Sequence, residues 1–171
     1  MAHKAQHDFF IKIKEKFPNN FKNVVVYDFG SRDINGSLKD MFENSSYTGI
    51  DIHAGKNVDI VCKAHEFKGQ LADTVVSGSM LEHDLFWDYS LLNMFRNLKD
   101  GGLMVVSAAG PGFQEHGTRK SGNEEWGSDP DYYKNITFPM LVKVFDYIGD
   151  VKEFYFEYGN QGYDTYFYLI K

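Results

Sequence analysis

The chain has 171 residues, 43% hydrophobic and 25% charged, with a net charge of −6 at pH 7. That length suits one domain with its own core, and the acidic balance argues against a long nucleic-acid footprint, which needs a basic face. One cysteine, Cys62, excludes an internal disulfide, no apolar run approaches the roughly 20 residues that span a bilayer, and the N-terminus shows no secretory cleavage pattern, so a cytoplasmic protein is expected.

Phe10, Ile13 and Phe17 recur at helical spacing before Pro18, so residues 1–22 read as an N-terminal helix with Lys12, Lys14, Lys16 and Lys22 on its solvated side. NVVVYDFG (23–30) is a β-branched, apolar run ended by glycine, the pattern of a buried strand. Leu38, Met41 and Phe42 fit a short amphipathic helix beginning near Gly36 or Ser37. SYTGIDI (46–52), VDIVCKA (58–64) and LADTVVSGSM (71–80) read as the next three strands. A long helix is expected after them, with Leu91, Phe95 and Leu98 on one stripe and KDGG (99–102) as its C-cap. LMVVSAAG (103–110) is a fifth strand. Residues 111–136 carry no period and many Gly, Asp, Asn and Ser residues, as a lid or binding loop would. Thr137 is placed as N-cap of a helix whose face is Leu141, Val144, Phe145 and Ile148. VKEFYFEY (151–158) and YDTYFYLI (163–170) form a hairpin across GNQG. Strands alternating with helices, then a hairpin, specify an α/β sheet covered on both faces.

In such sheets ligands bind outside the carboxyl ends of the strands. The first strand ends in Asp28-Phe29-Gly30, and the following loop runs to Gly36 and Ser37. Its G-x-x-x-x-x-G spacing is neither a dinucleotide fingerprint nor a P-loop. Asp28 and Asp33 would repel a pyrophosphate and suit an ammonium or sulfonium group. Asp51 ends the second strand about twenty residues after Gly30, where a carboxylate accepts ribose hydroxyls. An adenosine ligand without a pyrophosphate is implied, and S-adenosylmethionine is such a ligand.

The ordered segments VVVYDFGSRDINGS (24–37), YTGIDIHAGKNVDIVCKAHEF (47–67), ADTVVSGSMLEHD (72–84) and MFRNLKDGGLMVVSAAG (94–110) resemble class I S-adenosylmethionine-dependent methyltransferases. Within that superfamily the chain is most similar to small-molecule and glycan-type enzymes with LEH after the fourth strand, and PDYYKNIT (130–137) resembles a patch that follows their fifth strand. The resemblance implies a doubly wound, mostly parallel, seven-stranded Rossmann-like sheet with a C-terminal antiparallel hairpin, all in one domain. Residues 23–110 would be the cofactor-binding core, 111–136 the substrate or lid loop, and 137–171 the terminal helix and hairpin.

The same resemblance carries site roles. Gly30 and Ser31, with Asp28 behind them, would line the methionine end of S-adenosylmethionine. Asp51 would hold the ribose, and Ile52 would lie against the adenine. Ala64 and His65 would contact the adenine edge, while Ser79, Met80 and Leu81 would flank the sulfonium. Lys63 stands where the family commonly has Asp, leaving the Ala64 backbone or Glu66 to meet the adenine amino group.

Methyl transfer is an in-line displacement, and only some acceptors need a base. The fourth strand ends in SGSMLEHD, without the Asn/Asp-Pro-Pro-aromatic run or Pro-Cys nucleophile of nucleic-acid base methylation. His53, His65, His83 and His116 all follow strands, but their spacing matches no standard metal set and no metal is assigned. His116 is the first choice of general base, with His83 behind it; a loop histidine bonded locally is the plainer alternative. Asp131, Tyr132 and Tyr133 either fold over the acceptor or pin the loop, and Trp87 and Trp126 have no assigned role. The expected activity is methylation of an oxygen or nitrogen of a small molecule or sugar. The terminal aromatics offer a homodimer face or, more simply, sheet packing. Two competing readings are a non-catalytic methyltransferase-like binding or assembly module and a nicotinamide-dependent oxidoreductase.

Overall fold

The structure is a computed structural model that describes residues 4–34, 36–123 and 131–171. Seven strands form one sheet: β1 (Val25–Phe29), β2 (Ser46–Asp51), β3 (Ile60–Val61), β4 (Ala72–Gly78), β5 (Leu98–Ala109), β6 (Glu153–Gly159) and β7 (Asp164–Ile170). Their order is β3-β2-β1-β4-β5-β7-β6. The first five run parallel, and β7 enters antiparallel to both β5 and β6. Three helices, α1 (Lys4–Lys16), α2 (Trp87–Arg96) and α3 (Phe138–Phe145), cover the sheet. This is the mostly parallel Rossmann-like sheet with an antiparallel terminal hairpin expected from the sequence.

Central strands buried on both faces are mostly apolar along their length, and alternate residues serve opposite layers. Val76 and Val105 face the layer built by Phe9, Phe10 and Ile13 of α1. Their neighbours Val75 and Val106 face the layer built by Leu91 and Met94 of α2 and Leu141 and Val144 of α3. Each large apolar side chain buried in these layers contributes roughly 1.5–3 kcal/mol. The Lys12, Lys14, Lys16 and Lys22 face of the N-terminal segment meets surface acids, with Lys16 2.7 Å from Glu153 and Lys14 3.2 Å from Glu43.

Three expectations change. Leu98 is not the last residue of a helical stripe: α2 stops at Arg96, and fully buried Leu98 opens β5. KDGG is therefore inside the strand and not a helix cap. Ala72 pairs with Leu98 but Thr74 pairs with Leu103, so the extra residues form a bulge, with Gly101 at φ +79°. The Gly101 amide donates to the Lys171 carbonyl at 2.7 Å, tying the bulge to the chain's end. Leu38 and Met41 are buried as expected, but their segment makes a 3₁₀ turn over Lys39–Met41 instead of an α-helix. The third strand keeps only Ile60 and Val61, which sit at the sheet edge and are exposed. Thr137 precedes α3, and its side chain makes no capping hydrogen bond. No helix among the described residues is long and apolar enough to cross a membrane.

Candidate active site

The parallel strands β1 and β4 are adjacent, and the chain leaves them toward opposite sides of the sheet, β1 to β2 and β4 to β5. The crevice that opens between their carboxyl ends is where ligands enter such folds. A cavity of about 330 Å³ lies there. Gly30 turns the chain out of β1 at φ +82°, and a Cβ on it would stand 2.5 Å from Met80 Cβ. Glycine is thus required twice, for its left-handed backbone and for the close approach of the two loops. On the facing loop Ser79 also holds a positive φ, +54°. A non-glycine residue in that region is uncommon and is kept by its surroundings.

Asp28 lies on the cavity wall, 3% exposed. The Tyr47 hydroxyl donates to its Oδ2, while Oδ1 has no hydrogen-bond partner among the described residues. Burial pushes the Asp28 carboxyl up to about 7, against the opposing effect of the Tyr47 hydrogen bond. An approaching cationic group would reverse that shift. Asp33, its expected companion, plays another part: Lys56 sits 2.6 Å from its carboxylate, and the Gly36 amide donates to it at 2.8 Å. It clamps the loop and is absent from the cavity lining.

Asp51, at the end of β2, receives the Arg32 amide at 3.2 Å and the His53 amide at 2.9 Å, one on each carboxylate oxygen. Those bonds orient the carboxylate and leave further lone pairs toward the cavity. Ser31, Ile52, Ala64 and His65 line the same space. Ser31 is buried, and its hydroxyl has no partner among the described residues. His65 packs against Phe86, with ring centroids 4.7 Å apart, and Lys63 also lines this end.

Nine of the ten positions expected to contact a cofactor line this one cavity; Leu81 does not. Its side chain is fully buried in the core layer that α2 covers, so it packs there and does not face the cavity. The residue after it, Glu82, is the more consequential. His83 and His116 come together with their Nε2 atoms 3.3 Å apart, and both line the cavity. Glu82 joins them, the three side chains offering ligating atoms within 4.8 Å of one another. Tyr133 closes over the pair, its ring centroid 5.5 Å from His83 and 5.0 Å from His116. Burial, then the neighbouring His116, lower the His83 pKa to about 3, and burial lowers that of His116. Both imidazoles are therefore neutral at pH 7 and available as lone-pair donors. Burial raises the Glu82 carboxyl to about 7.

The loop that carries His116 is pinned from both sides. The Lys134 amide donates to the Glu82 carbonyl at 2.8 Å, and Asn135 Nδ2 donates to the Phe113 carbonyl at 2.9 Å. Tyr133 thus holds the histidine pair, whereas Trp126 and the Pro130 that opens the 130–137 patch lie outside the described residues. Trp87 packs on the core from the first position of α2.

The α1 contribution escaped the sequence reading. Gln6, 3% exposed, reaches across to donate to the Ser79 hydroxyl at 3.0 Å and to the Ser107 hydroxyl, and it lines the cavity with Lys4 and His7. A signal was present: Gln6 sits one turn before Phe10 on the buried stripe, a polar residue where an apolar one is due.

No protein-family model matches the chain, and no curated protein matches its sequence. Solved structures do match its fold. The phosphoethanolamine N-methyltransferase 2 of Haemonchus contortus, in complex with S-adenosylhomocysteine and phosphomonomethylethanolamine, superposes with a TM-score of 0.65 at 15% identity, over 96% of this chain and 52% of that one. The chain thus spans about half of that enzyme. The N-methyltransferase NodS of Bradyrhizobium japonicum, with S-adenosylhomocysteine, gives 0.62 at 12% identity, over 98% of this chain and 88% of that one. The 1,6-didemethyltoxoflavin-N1-methyltransferase of Burkholderia thailandensis gives 0.57 at 12% identity, over 99% and 90%. These likenesses concern the fold and do not reach the subgroup suggested by Leu81-Glu82-His83. The strand order, the antiparallel β7 and the neighbours together give this chain the class I S-adenosylmethionine-dependent methyltransferase fold.

Proposed function

We propose that the chain is an S-adenosylmethionine-dependent methyltransferase acting on an oxygen or nitrogen of a small molecule. The observation that carries this reading is the single cavity at the switch point, with Asp28 and Asp51 on one side and the neutral His83–His116 pair on the other. Asp28 Oδ1, buried without a partner, suits the ammonium of the cofactor's amino-acid end. The oriented Asp51 carboxylate suits the ribose diol, and the wall formed by Ile52, Ala64 and His65 suits the adenine. Gly30 keeps backbone, not side chain, against Met80, which lets the two loops close on each other at the edge of the cavity where the sulfonium would lie.

S-Adenosylmethionine, when bound, supplies a methyl group on a sulfonium, and the electrons of the broken S–C bond stay on sulfur. The chain's own work is to place the acceptor in line with that bond and to exclude water. His116, half-buried and reachable from the cavity, takes the acceptor's O–H or N–H proton on Nε2. His83 and Tyr133 hold the His116 ring in place.

The test is calorimetry with S-adenosylmethionine, S-adenosylhomocysteine and NAD on the wild type and on Asp51→Ala. Binding of both adenosyl compounds, lost in the variant and absent for NAD, supports the reading. Failure of the wild type to bind either adenosyl compound overturns it.

A further inference from the structure

The histidine pair is spaced as metal ligands are. Two imidazole nitrogens on a tetrahedral zinc at 2.0–2.1 Å stand about 3.3 Å apart, and His83 Nε2 and His116 Nε2 are separated by 3.3 Å. The His116 ring has its other nitrogen, Nδ1, 3.1 Å from the Gln114 carbonyl oxygen. A carbonyl only accepts, so Nδ1 carries the hydrogen and Nε2 presents its lone pair toward His83. That is the outer contact by which a ligating histidine is usually oriented. The third group is a carboxylate: Glu82 is 1% exposed, lies within 4.8 Å of both, and its Oε2 has no hydrogen-bond partner among the described residues. A buried, unpartnered carboxylate oxygen beside the inward lone pair of His116 is an unfavourable arrangement that a cation relieves, once His83 carries its hydrogen on Nδ1 and turns the Nε2 lone pair to the same point.

We propose that Glu82, His83 and His116 bind one divalent cation of the zinc type, whose fourth position opens into the cavity and takes the hydroxyl oxygen of the methyl acceptor. Two imidazoles and a carboxylate suit zinc and its borderline neighbours better than magnesium or calcium. Three protein ligands with one open position are the arrangement of catalytic sites, not of closed structural ones. The inference rests on the methyl-transfer reading and narrows its acceptor to a hydroxyl compound. The acceptor oxygen, bound to the cation, releases its proton to solvent. Its lone pair then forms the O–CH3 bond as the S–CH3 bond breaks, and S-adenosylhomocysteine remains. With the cation bound, the His116 Nε2 lone pair is a ligand and no longer the base of the metal-free reading, and the cation's charge lowers the acceptor's pKa so that the proton can leave to solvent.

The experiment uses tag-free protein stripped with a chelator. Zn2+ is titrated by calorimetry, and Co2+ is added separately to record the visible absorption of a tetrahedral site. One Zn2+ per chain is expected, with the intense tetrahedral Co2+ bands. His116→Ala and Glu82→Gln should each weaken Zn2+ by at least about 100-fold, beyond what loss of an orienting partner alone costs. His116 lies on a loop, so its variant should keep the fold, as circular dichroism would verify. Substoichiometric Zn2+, octahedral Co2+ spectra, or unchanged Zn2+ affinity in a folded His116→Ala variant would overturn the site and leave a plain imidazole–imidazole hydrogen bond. S-Adenosylhomocysteine is titrated in parallel. If it fails to bind while Zn2+ binds, the cation site stands and its role in methyl transfer falls.

Discussion

Gly30 and Met80 approach so closely that a Cβ on the glycine would lie 2.5 Å from Cβ of the methionine. The contact joins the loop after β1 to the loop after β4, the two loops that form the crevice. Gly30→Ala meets both this clash and a φ of +82°. The expected result is a loss of roughly 1–3 kcal/mol from backbone strain, with more from the displaced Met80 loop. Thermal unfolding and S-adenosylhomocysteine calorimetry check it, and affinity should fall with stability.

Asp28 makes stability depend on pH in a defined sense. Its carboxyl is held near 7 by burial, against an ordinary value of 3.8. Between those values the unfolded chain has lost the proton and the folded chain keeps it. Stability from this group is therefore complete below about pH 4, declines as pH rises toward 7, and levels off above. Asp28→Asn, nearly isosteric, should remove that decline. Urea unfolding of both proteins at pH 5 and pH 8 reads the difference, and the variant should gain on the wild type at the higher pH.

The same group predicts a proton linkage for the cofactor. An ammonium beside Asp28 favours the carboxylate, so binding near pH 7 should release protons. Calorimetry of S-adenosylhomocysteine in two buffers of different ionisation enthalpy measures the number. It should drop in Asp28→Asn.

Gln6 couples α1 to the site. Gln6→Leu leaves the buried Ser107 hydroxyl, and that of Ser79, without their donor, at a cost of roughly 1–3 kcal/mol. Ser79, at φ +54°, loses one of its two hydrogen bonds to the body of the fold and keeps the one from its amide to the Ser107 carbonyl. Chemical denaturation should show the loss, and S-adenosylhomocysteine affinity should fall several-fold.

Leu81 separates packing from binding. Leu81→Ala empties a fully buried position and should cost roughly 2–5 kcal/mol of stability. Titration below the variant's unfolding temperature should find S-adenosylhomocysteine affinity close to that of the wild type, because the side chain does not line the cavity.

Much of this protein was legible in its sequence. Continuous β-branched runs such as Val25–Val26 and Val105–Val106 read as strands, and the stripe of Phe10 and Ile13 reads as a helix face, because burial follows the two backbone periods. Asp28, Gly30 and Asp51 were readable for the same reason: each ends a strand, and strand ends define the crevice. Local pattern misled where it satisfied two periods at once. Leu98 falls two helical turns after Leu91 and also begins the strand, and only pairing with Ala72 decided between them. The tertiary structure alone brought His116 to His83 and Glu82, and Gln6 to Ser79 and Ser107. Those meetings depend on how the loop after β5 and the helix before β1 fold back over the sheet, and such contacts between distant segments leave no periodic mark in the chain.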